Sequence, residues 1–477
     1  MQTVLPVHTE STGAIPRLAR FVAGHPVAAH PEVALTRARL AFLDTIGCAV
    51  QGATTETARR TRDAVAAWGH GPAPVIGGGG LCVAAPWAAL ANGTAAHARD
   101  LDDYTLVAND HASAVLVPAI IAGAAGRRCT LRDVLDAYLV GLEVIFRIGR
   151  AVNMGHYNLG WHTTSTIDGL GATAAVARLA GLDAVQTASA LALAVSMGSG
   201  MNSQFGTSAK PLHAGLSAKN GVLAARLACG GLTGNPAVLD GPVRFATIMV
   251  PPGSADFTTA LDGLGESWGI VTDGLGAKVY PSCGYTHRSV DAAIALHAAL
   301  APADLEAIAK VQVSIPDFHL AILPYATPRT PEEALFSTAW CVATALIKGR
   351  NRLEDFEADA LADPAVRALC DRVTVTGRRT RRPEINVDPE EPDTVEVTLP
   401  DGRVLCRSCE RWTGMPGADL TPAQFVEKFH ACLAAAGPGS SEDYATLPAS
   451  LLDDEPDTPI DILLATLAGK PSAVAAQ

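Results

Sequence analysis

Between Ala84 and Ala125 an alanine-rich apolar pattern is broken by acids that a packed interior does not accept freely. Ala84 to Ala98 reads as a buried helix, and it runs into Asp100, Asp102 and Asp103, three carboxylates within four residues. A short polar loop then leads to Asp110 and His111, ahead of a second apolar helix predicted from Ser113 to Ala125. A carboxylate near such an interior costs several kcal/mol unless it is paired. Any fold of this chain must therefore bring counter-charges or hydrogen-bond donors to the end of one buried helix and the start of the next. Capping of the second helix accounts for Asp110 or Ser113 about as well as chemistry does. It does not account for Asp100 together with His111, which point to a functional site.

The core available to such a fold is made of small side chains. Hydrophobic residues make up 48% of the chain but aromatic residues only 5%, so Ala, Val, Leu and Gly must fill the interior. Small residues let helices approach closely, which favours a tightly packed bundle. A length of 477 residues implies two or three domains. The formal charge of -12 argues against a nucleic-acid partner, because no basic field exists to displace counterions. A small anionic substrate remains compatible with it, given a local cationic pocket.

Mean hydropathy is positive at +0.21. The longest apolar run, Ala114 to Gly126, nevertheless stops at Arg127-Arg128, short of the roughly 18 residues of a membrane helix. Glu10 and the lack of a basic, then apolar N-terminus give no signal peptide. Ten cysteines, with Cys48, Cys82, Cys229 and Cys341 inside apolar patterns, suit small buried residues in a reducing cytoplasm. Cys406 and Cys409 form a lone CxxC without a second pair, so no zinc site is expected.

Taken in order, residues 1 to 14 read as loose and polar, and Pro16 to Ala67 as helical. Pro72, Pro74 and Gly77 to Gly80 make a turn-rich connector without the spacing of a phosphate-binding loop. A capping box at Thr130 and Asp133 opens an amphipathic helix through Ile148. Further helices are predicted over Ala172 to Ala180, closed by Gly181, over Val185 to Ser196, and over Ala218 to Cys229. Almost no alternating pattern occurs before residue 275. Alternation then appears in Lys310 to Ile315, Val373 to Gly377 and Thr394 to Leu399, with Asp401-Gly402 as a hairpin turn into Arg403 to Leu405. Helices are expected between them, at Asp291 to Leu300 and from Pro331 to Ile347 behind Thr330. The fold class is therefore mainly α: a large all-helical bundle domain over residues 1–276 and a smaller α+β lid domain over 277–412. Residues 413–477 read as a helix from Thr421 returning to the first domain, then an acidic, weakly ordered end and an Ala-rich tail.

Three more polar, glycine-bounded islands interrupt the apolar pattern: Gly155 to Thr166 with His162, Gln204 to Gly215 with Lys210, and Lys278 to Arg288 with Lys278 and His287. Singly each has a dull explanation, and Cys283 lacks an activating pattern for a nucleophile. Jointly, His111, His162, Lys210 and His287 all fall at predicted helix starts, where a bundle can gather them into one cleft. Without HExxH or clustered Cys/His spacing they point to acid/base and anion-binding work, and to no metal.

The run at Asp100 with His111 to Pro118, the Gly160 to Thr166 segment, Lys210 to Gly215, and Tyr280 to Cys283 with His287 together resemble the MmgE/PrpD family. The resemblance covers about residues 16 to 436, with the motifs in matching order. It implies a helical domain with an α+β lid, a homodimer and no cofactor. It places active-site positions on Asp100, His111, His162, Lys210 and His287, with a lid tyrosine at Tyr325 as a substrate binder; Lys278, from the third polar island, is expected to bind substrate as well. Animal-type cis-aconitate decarboxylases of this family have a histidine where this chain has Cys283, and a threonine where it has Tyr104. Both departures argue against an animal-type decarboxylase. The segment from Gly149 to Tyr157 is similar to the iminodisuccinate epimerase branch.

The leading expectation is a lyase of the 2-methylcitrate dehydratase type, acting on a small di- or tricarboxylate. His162 or His111 would serve as base or acid, Lys210 and His287 as carboxylate binders and proton donors, and Asp100 as the orienter of an imidazole. An epimerase of an iminodisuccinate-like dicarboxylate and a cis-aconitate-type decarboxylase use the same groups. A catalytically silent metabolite-binding scaffold is the alternative from another class.

Overall fold

A computed structural model of the chain describes residues 13–241 and 244–469. The expectations of a loose N-terminus and an unstructured Ala-rich tail fall almost wholly outside these residues. Seven long helices carry the first part: α1 (Glu32–Gly52), α2 (Ala85–Ala96), α3 (Ala112–Ala124), α4 (Leu131–Val152), α5 (Asp168–Leu179), α6 (Ala184–Val195) and α7 (Ala209–Cys229). Their starts follow local chemistry. Thr130 and Asp133 form the expected capping box of α4, and Asp183 with Gln186 forms another at α6. α3 is capped neither by Asp110 nor by Ser113. Its Ser113 N–H donates to the Asp103 carboxylate at 3.2 Å, while the Ser113 hydroxyl pairs with the Tyr138 phenol at 2.7 Å and Asp110 accepts from the Thr105 hydroxyl at 2.7 Å.

Small residues set how closely these helices pack. Gly93 of α2 faces Gly215 of α7, and a Cβ on Gly93 would lie 2.9 Å from the Gly215 Cα. A Cβ on Gly215 would overlap the Leu90 carbonyl and the Thr94 hydroxyl. At this crossing α7 brings Lys210 and His213 toward the polar end of α2. The core around it is almost entirely aliphatic, running from Ile15 through Leu116, Val144 and Leu170 to Leu467.

A second apolar core lies under a four-stranded sheet. The strands β3 (Lys310–Pro316), β4 (Val373–Arg378), β5 (Asp393–Thr398) and β6 (Val404–Cys409) stand in the order β4-β3-β5-β6. β3 runs parallel to β4, and β5 is antiparallel to both β3 and β6. Alternation buries Val311, Val313 and Ile315 of β3 and Val395 and Val397 of β5 on one face. α8 (His287–Ala299) packs on β5 and β6 and against α9 (Thr338–Lys348). α10 (Pro422–Ala436) returns to α1, where Phe429 abuts Gly47 and Lys428 Nζ lies 2.6 Å from Asp44.

Four expectations need correction. The first part is not helical throughout: a short hairpin, β1 (His70–Pro74) with β2 (Cys82–Val83), closes around the glycine turn. Its strands are too short, and too rich in Pro and Gly, for alternation to register. The helix expected from Pro331 to Ile347 is two pieces, Pro331–Ala334 capped by Thr330 and α9 capped by Ser337, and Phe336 at the break stands beside Phe205 and Lys210. The acidic end near Asp453 to Asp461 is built into the structure, since the Leu131 N–H donates to the Thr458 carbonyl at 2.9 Å and Ile460 is buried. Finally, Cys48 and Cys341 are buried and Cys82 is half-buried, but Cys229, at the end of α7, is exposed.

The Gly93–Gly215 crossing yields a stability prediction. Gly215→Ala forces backbone apart at a site with no flexible neighbour to give way, and should cost about 1–3 kcal/mol. Chemical denaturation of the variant against the parent measures this. A surface substitution such as Gly24→Ala, where a Cβ meets nothing within 4 Å, serves as the control.

Candidate active site

The loop that joins α2 to α3 is folded by two left-handed residues, Asp100 at φ 51° and Asn109 at φ 56°. Asp and Asn tolerate this conformation better than other side chains. The turn at Asp100 points its carboxylate at α7, where Lys210 Nζ lies 2.9 Å from Oδ2. Lys278 arrives from the segment leading into α8, pairs with Oδ1 and donates to the Asp100 carbonyl at 3.0 Å. All three side chains are buried. Lys210 lies over the rings of Phe336 and Phe205, at 5.0 and 5.4 Å from their centroids.

Asp102 performs the task expected of Asp100. Its carboxylate lies 2.8 Å from His97 Nδ1 and 3.2 Å from His111 Nδ1, so one buried acid holds two imidazoles. His111 Nδ1 also lies 2.9 Å from the Asp103 carbonyl, and His111 Nε2 lies 3.5 Å from Asp100. His162 follows on the other side of His97, with ring centroids 6.1 Å apart. Its Nδ1 is 3.0 Å from His213 Nδ1, which leaves Nε2 as its free nitrogen.

His111, His162, Lys210, Lys278, Tyr104 and Cys283 share the wall of one cavity of about 50 Å³, completed by Tyr157, Asn109, Asn386 and Trp412. Lys210 and Phe336 also face a wider cavity of about 300 Å³, with Asp100, His97, Arg99 and Glu357 on its walls. An ion pair from Arg99 to Glu357 spans this outer space.

The helix-start pattern therefore has a spatial meaning for most of its members. His111 and His162 occupy N-cap positions, Lys210 is the second residue of α7, and His287 is the first of α8. Asp100, His111, His162, Lys210 and Lys278 come together. His287 lies behind the wall, with Nε2 3.3 Å from the Ser282 carbonyl and its ring against Tyr280 and Trp412. From its segment Cys283 reaches the cavity instead. Tyr325 is not on the inner cavity: its hydroxyl donates to the Phe205 carbonyl at 3.0 Å and so pins the loop ahead of α7.

Charge states follow from burial. Desolvation lowers the pKa of every imidazole here: His97 and His213 to about 4, His111 in the same direction and His162 well below its ordinary value. These rings are neutral near pH 7. Burial also lowers Lys210, although Asp100 opposes it. Burial acts to raise Asp100, but the Lys210 and Lys278 ammoniums prevail and hold it well below the usual carboxylate range. Asp102 is likewise held down, against desolvation, by His97 and His111. Behind them burial pushes Asp103 and Asp168 well above that range.

His97, Asp100, Asp102 and His111 offer donor atoms within 4.8 Å of one another, a spacing that suits a metal ion. The charges around them do not. Both Asp100 oxygens already face ammoniums and the Asp102 carboxylate is engaged by two rings, so a divalent cation would sit among two fixed positive charges.

Sequence reasoning gave His97 no role, noted Asp102 only as one of three acids, and set Cys283 aside as a nucleophile. Asp102 was visible as one of three adjacent acids, but which of them turns inward depends on the left-handed turn at Asp100. His213 stands three residues after Lys210, on the same helical face.

Two measurements check this electrostatic picture. In imidazole ¹⁵N NMR, His97 and His213 should stay neutral from pH 8 to 6 and titrate near 4. Since these folded values lie below the unfolded 6.5, each ring adds stability that is complete above pH 6.5 and is lost as pH falls toward 4. The raised Asp103 and Asp168 act in the opposite sense. Asp102→Asn should loosen the hold on His97 Nδ1, so that the His97 ¹⁵N shifts move toward a mixture of tautomers, while His111, whose Nδ1 also lies 2.9 Å from the Asp103 carbonyl, and His162 change less.

Comparison with known proteins places the chain in a family. The model of the MmgE/PrpD N-terminal domain matches residues 16–258, and that of the C-terminal domain matches residues 280–448. Cis-aconitate decarboxylase of Homo sapiens is 28% identical over 415 residues, covering 83% of each chain. The enzyme of that name from Aspergillus terreus is 28% identical over 410 residues, covering 81% of this chain and 82% of its own. That from Mus musculus is 27% identical over 414 residues, covering 83% of this chain and 82% of its own. With both models matched in order and most of the chain covered, this protein belongs to the MmgE/PrpD family.

Proposed function

We propose that this chain is a lyase acting on a small di- or tricarboxylate by proton transfer at the carbon next to a carboxylate. The observation that carries this reading is the convergence of two buried ammoniums, Lys210 and Lys278, with the neutral imidazoles of His111 and His162 on one cavity. The ammoniums compensate substrate carboxylates in a desolvated place, where each contact is stronger than in water. They also stabilise the negative charge that accumulates on a carboxylate when its α-carbon loses a proton. Lys210 stands at the positive end of a long helix, which adds to the attraction for an anion. The inner cavity has room for only one or two waters. A polycarboxylate therefore needs the partition of Lys210 and Phe336 to part, joining the inner cavity to the outer one.

Elimination of water is the first reading, because the imidazoles are neutral. His162 or His111 takes the α-proton, the electron pair becomes the new double bond, and the β-hydroxyl leaves as water with a proton from an acid. Decarboxylation of a cis-aconitate-type acid is the second, favoured by the names of the relatives. There the bond to a carboxylate breaks, carbon dioxide leaves, and the carbanion beside the ammoniums takes up a proton. Tyr104 and Cys283 in this cavity weigh toward the first reading.

Proton NMR in deuterated water with 2-methylcitrate, cis-aconitate and iminodisuccinate in turn tests the proposal. Replacement of the 2-methylcitrate methyl doublet by the methyl singlet of its dehydrated product is the expected result. New vinyl signals of a decarboxylated product from cis-aconitate replace it with the second reading, and deuterium entering iminodisuccinate without elimination indicates an epimerase. Silence on all three, with no polycarboxylate raising the melting temperature, supports the scaffold alternative. A ligand at a hundredfold its dissociation constant should add about 2.7 kcal/mol. In an active protein His162→Ala and Lys210→Ala should each lower kcat/KM by about 100-fold or more.

A further inference from the structure

The reaction proposed above needs an acid as well as a base, and the imidazoles are poor candidates for the acid because burial keeps them neutral. The segment from Lys278 to His287 supplies another group. Its backbone is anchored on both sides of Cys283: the Cys283 N–H donates to the Leu335 carbonyl at 2.9 Å, and the Cys283 carbonyl accepts from the Thr286 N–H at 2.9 Å. That anchoring holds the half-buried side chain on the cavity wall beside Lys210 and Lys278. Its Sγ accepts from the Tyr285 N–H but, among the described residues, donates to no acceptor, unlike Cys341 and Cys370, whose thiols donate to carbonyls.

Two further features aim at the same space. Lys210 is only 4% exposed, and its Nζ, paired with Asp100 at 2.9 Å, lines the same cavity. The imidazoles come from the helical core, whereas Cys283 packs against the second core, under the sheet. A base and a thiol thus enter from different parts of the fold.

We propose that Cys283 is a catalytic residue of this cavity, its thiol giving up the proton that the departing group takes. The proposal rests on the lyase reading and adds the acid to it. As the imidazole breaks the α-carbon–hydrogen bond, the carbon–oxygen bond breaks and the S–H proton passes to the leaving oxygen, which departs as water. Imidazolium and thiolate remain, and the proton returns from ring to sulfur to close the cycle. Lys210 and Lys278 stabilise the transient thiolate. A nucleophilic role fits less well, since burial and the nearby Asp100 push the resting thiol up to about 11 and keep it protonated. The same protonation protects it from adding to an unsaturated product.

The test uses the full chain with whichever polycarboxylate the parent turns over. Cys283→Ala should lower kcat about 100-fold or more with KM changed only a few-fold. Cys283→Ser, which keeps the shape but is a far weaker acid, should not restore it. The parent's solvent isotope effect should carry the low fractionation factor of a thiol, and the serine variant should lose it. Independently, iodoacetamide should inactivate the parent in step with alkylation of Cys283 followed by peptide mass spectrometry, and the substrate should slow that alkylation. An alanine variant with parental kcat overturns the proposal and leaves the lyase reading intact. If the alanine variant does not fold, complete alkylation of Cys283 with unchanged kcat overturns it equally. A parent inert toward every polycarboxylate defeats the lyase reading itself, and the acid role with it.

Discussion

The carboxylate of Asp100, held between the ammoniums of Lys210 and Lys278, is the interaction on which the rest of the site depends. Taking one of these charges away would leave another buried without compensation, a loss of about 3–5 kcal/mol in comparable systems. The three residues come from separate places in the chain: the loop after α2, the start of α7, and the segment entering α8. Their pairing therefore ties the helical core to the part of the molecule built around the sheet. It also holds two positive charges ready beside a cavity in a chain whose overall charge is -12.

Around that triad the structure divides labour among adjacent acids. Asp100 compensates ammoniums, Asp102 holds two imidazoles, and Asp103 caps α3 through the Ser113 amide. Three residues of one chemical type take three roles because the left-handed turn at Asp100 sends consecutive side chains in different directions. The adjacent histidines stay neutral because they are buried, and they take their orientation from a carboxylate that stays ionised. This separation keeps a base and a set of cations side by side without mutual neutralisation.

The small residues serve the same end. Close approach of α2 and α7 at Gly93 and Gly215 brings the end of one helix, with its acids, against the start of the other, with its lysine and histidine. Larger side chains at that crossing would separate the charges and open the pocket to water, where each contact is weaker.

Much of this was legible in the chain itself. The helical pattern, the capping boxes of α4 and α6, the sheet strands with their hairpin at Asp401-Gly402, and the polar islands with His111, His162, Lys210 and Lys278 all follow from local periodicity and turn chemistry. Those signals act over a few residues and survive in any context. Tertiary structure alone decided that Asp102 rather than Asp100 orients the imidazoles, that His287 turns behind the wall while Cys283 faces the cavity, and that the acidic end near Ile460 docks beside α4. Each of these depends on where a side chain meets partners more than about a hundred residues away, or on one backbone turn whose direction the packing selects, and neither leaves a periodic trace in the sequence.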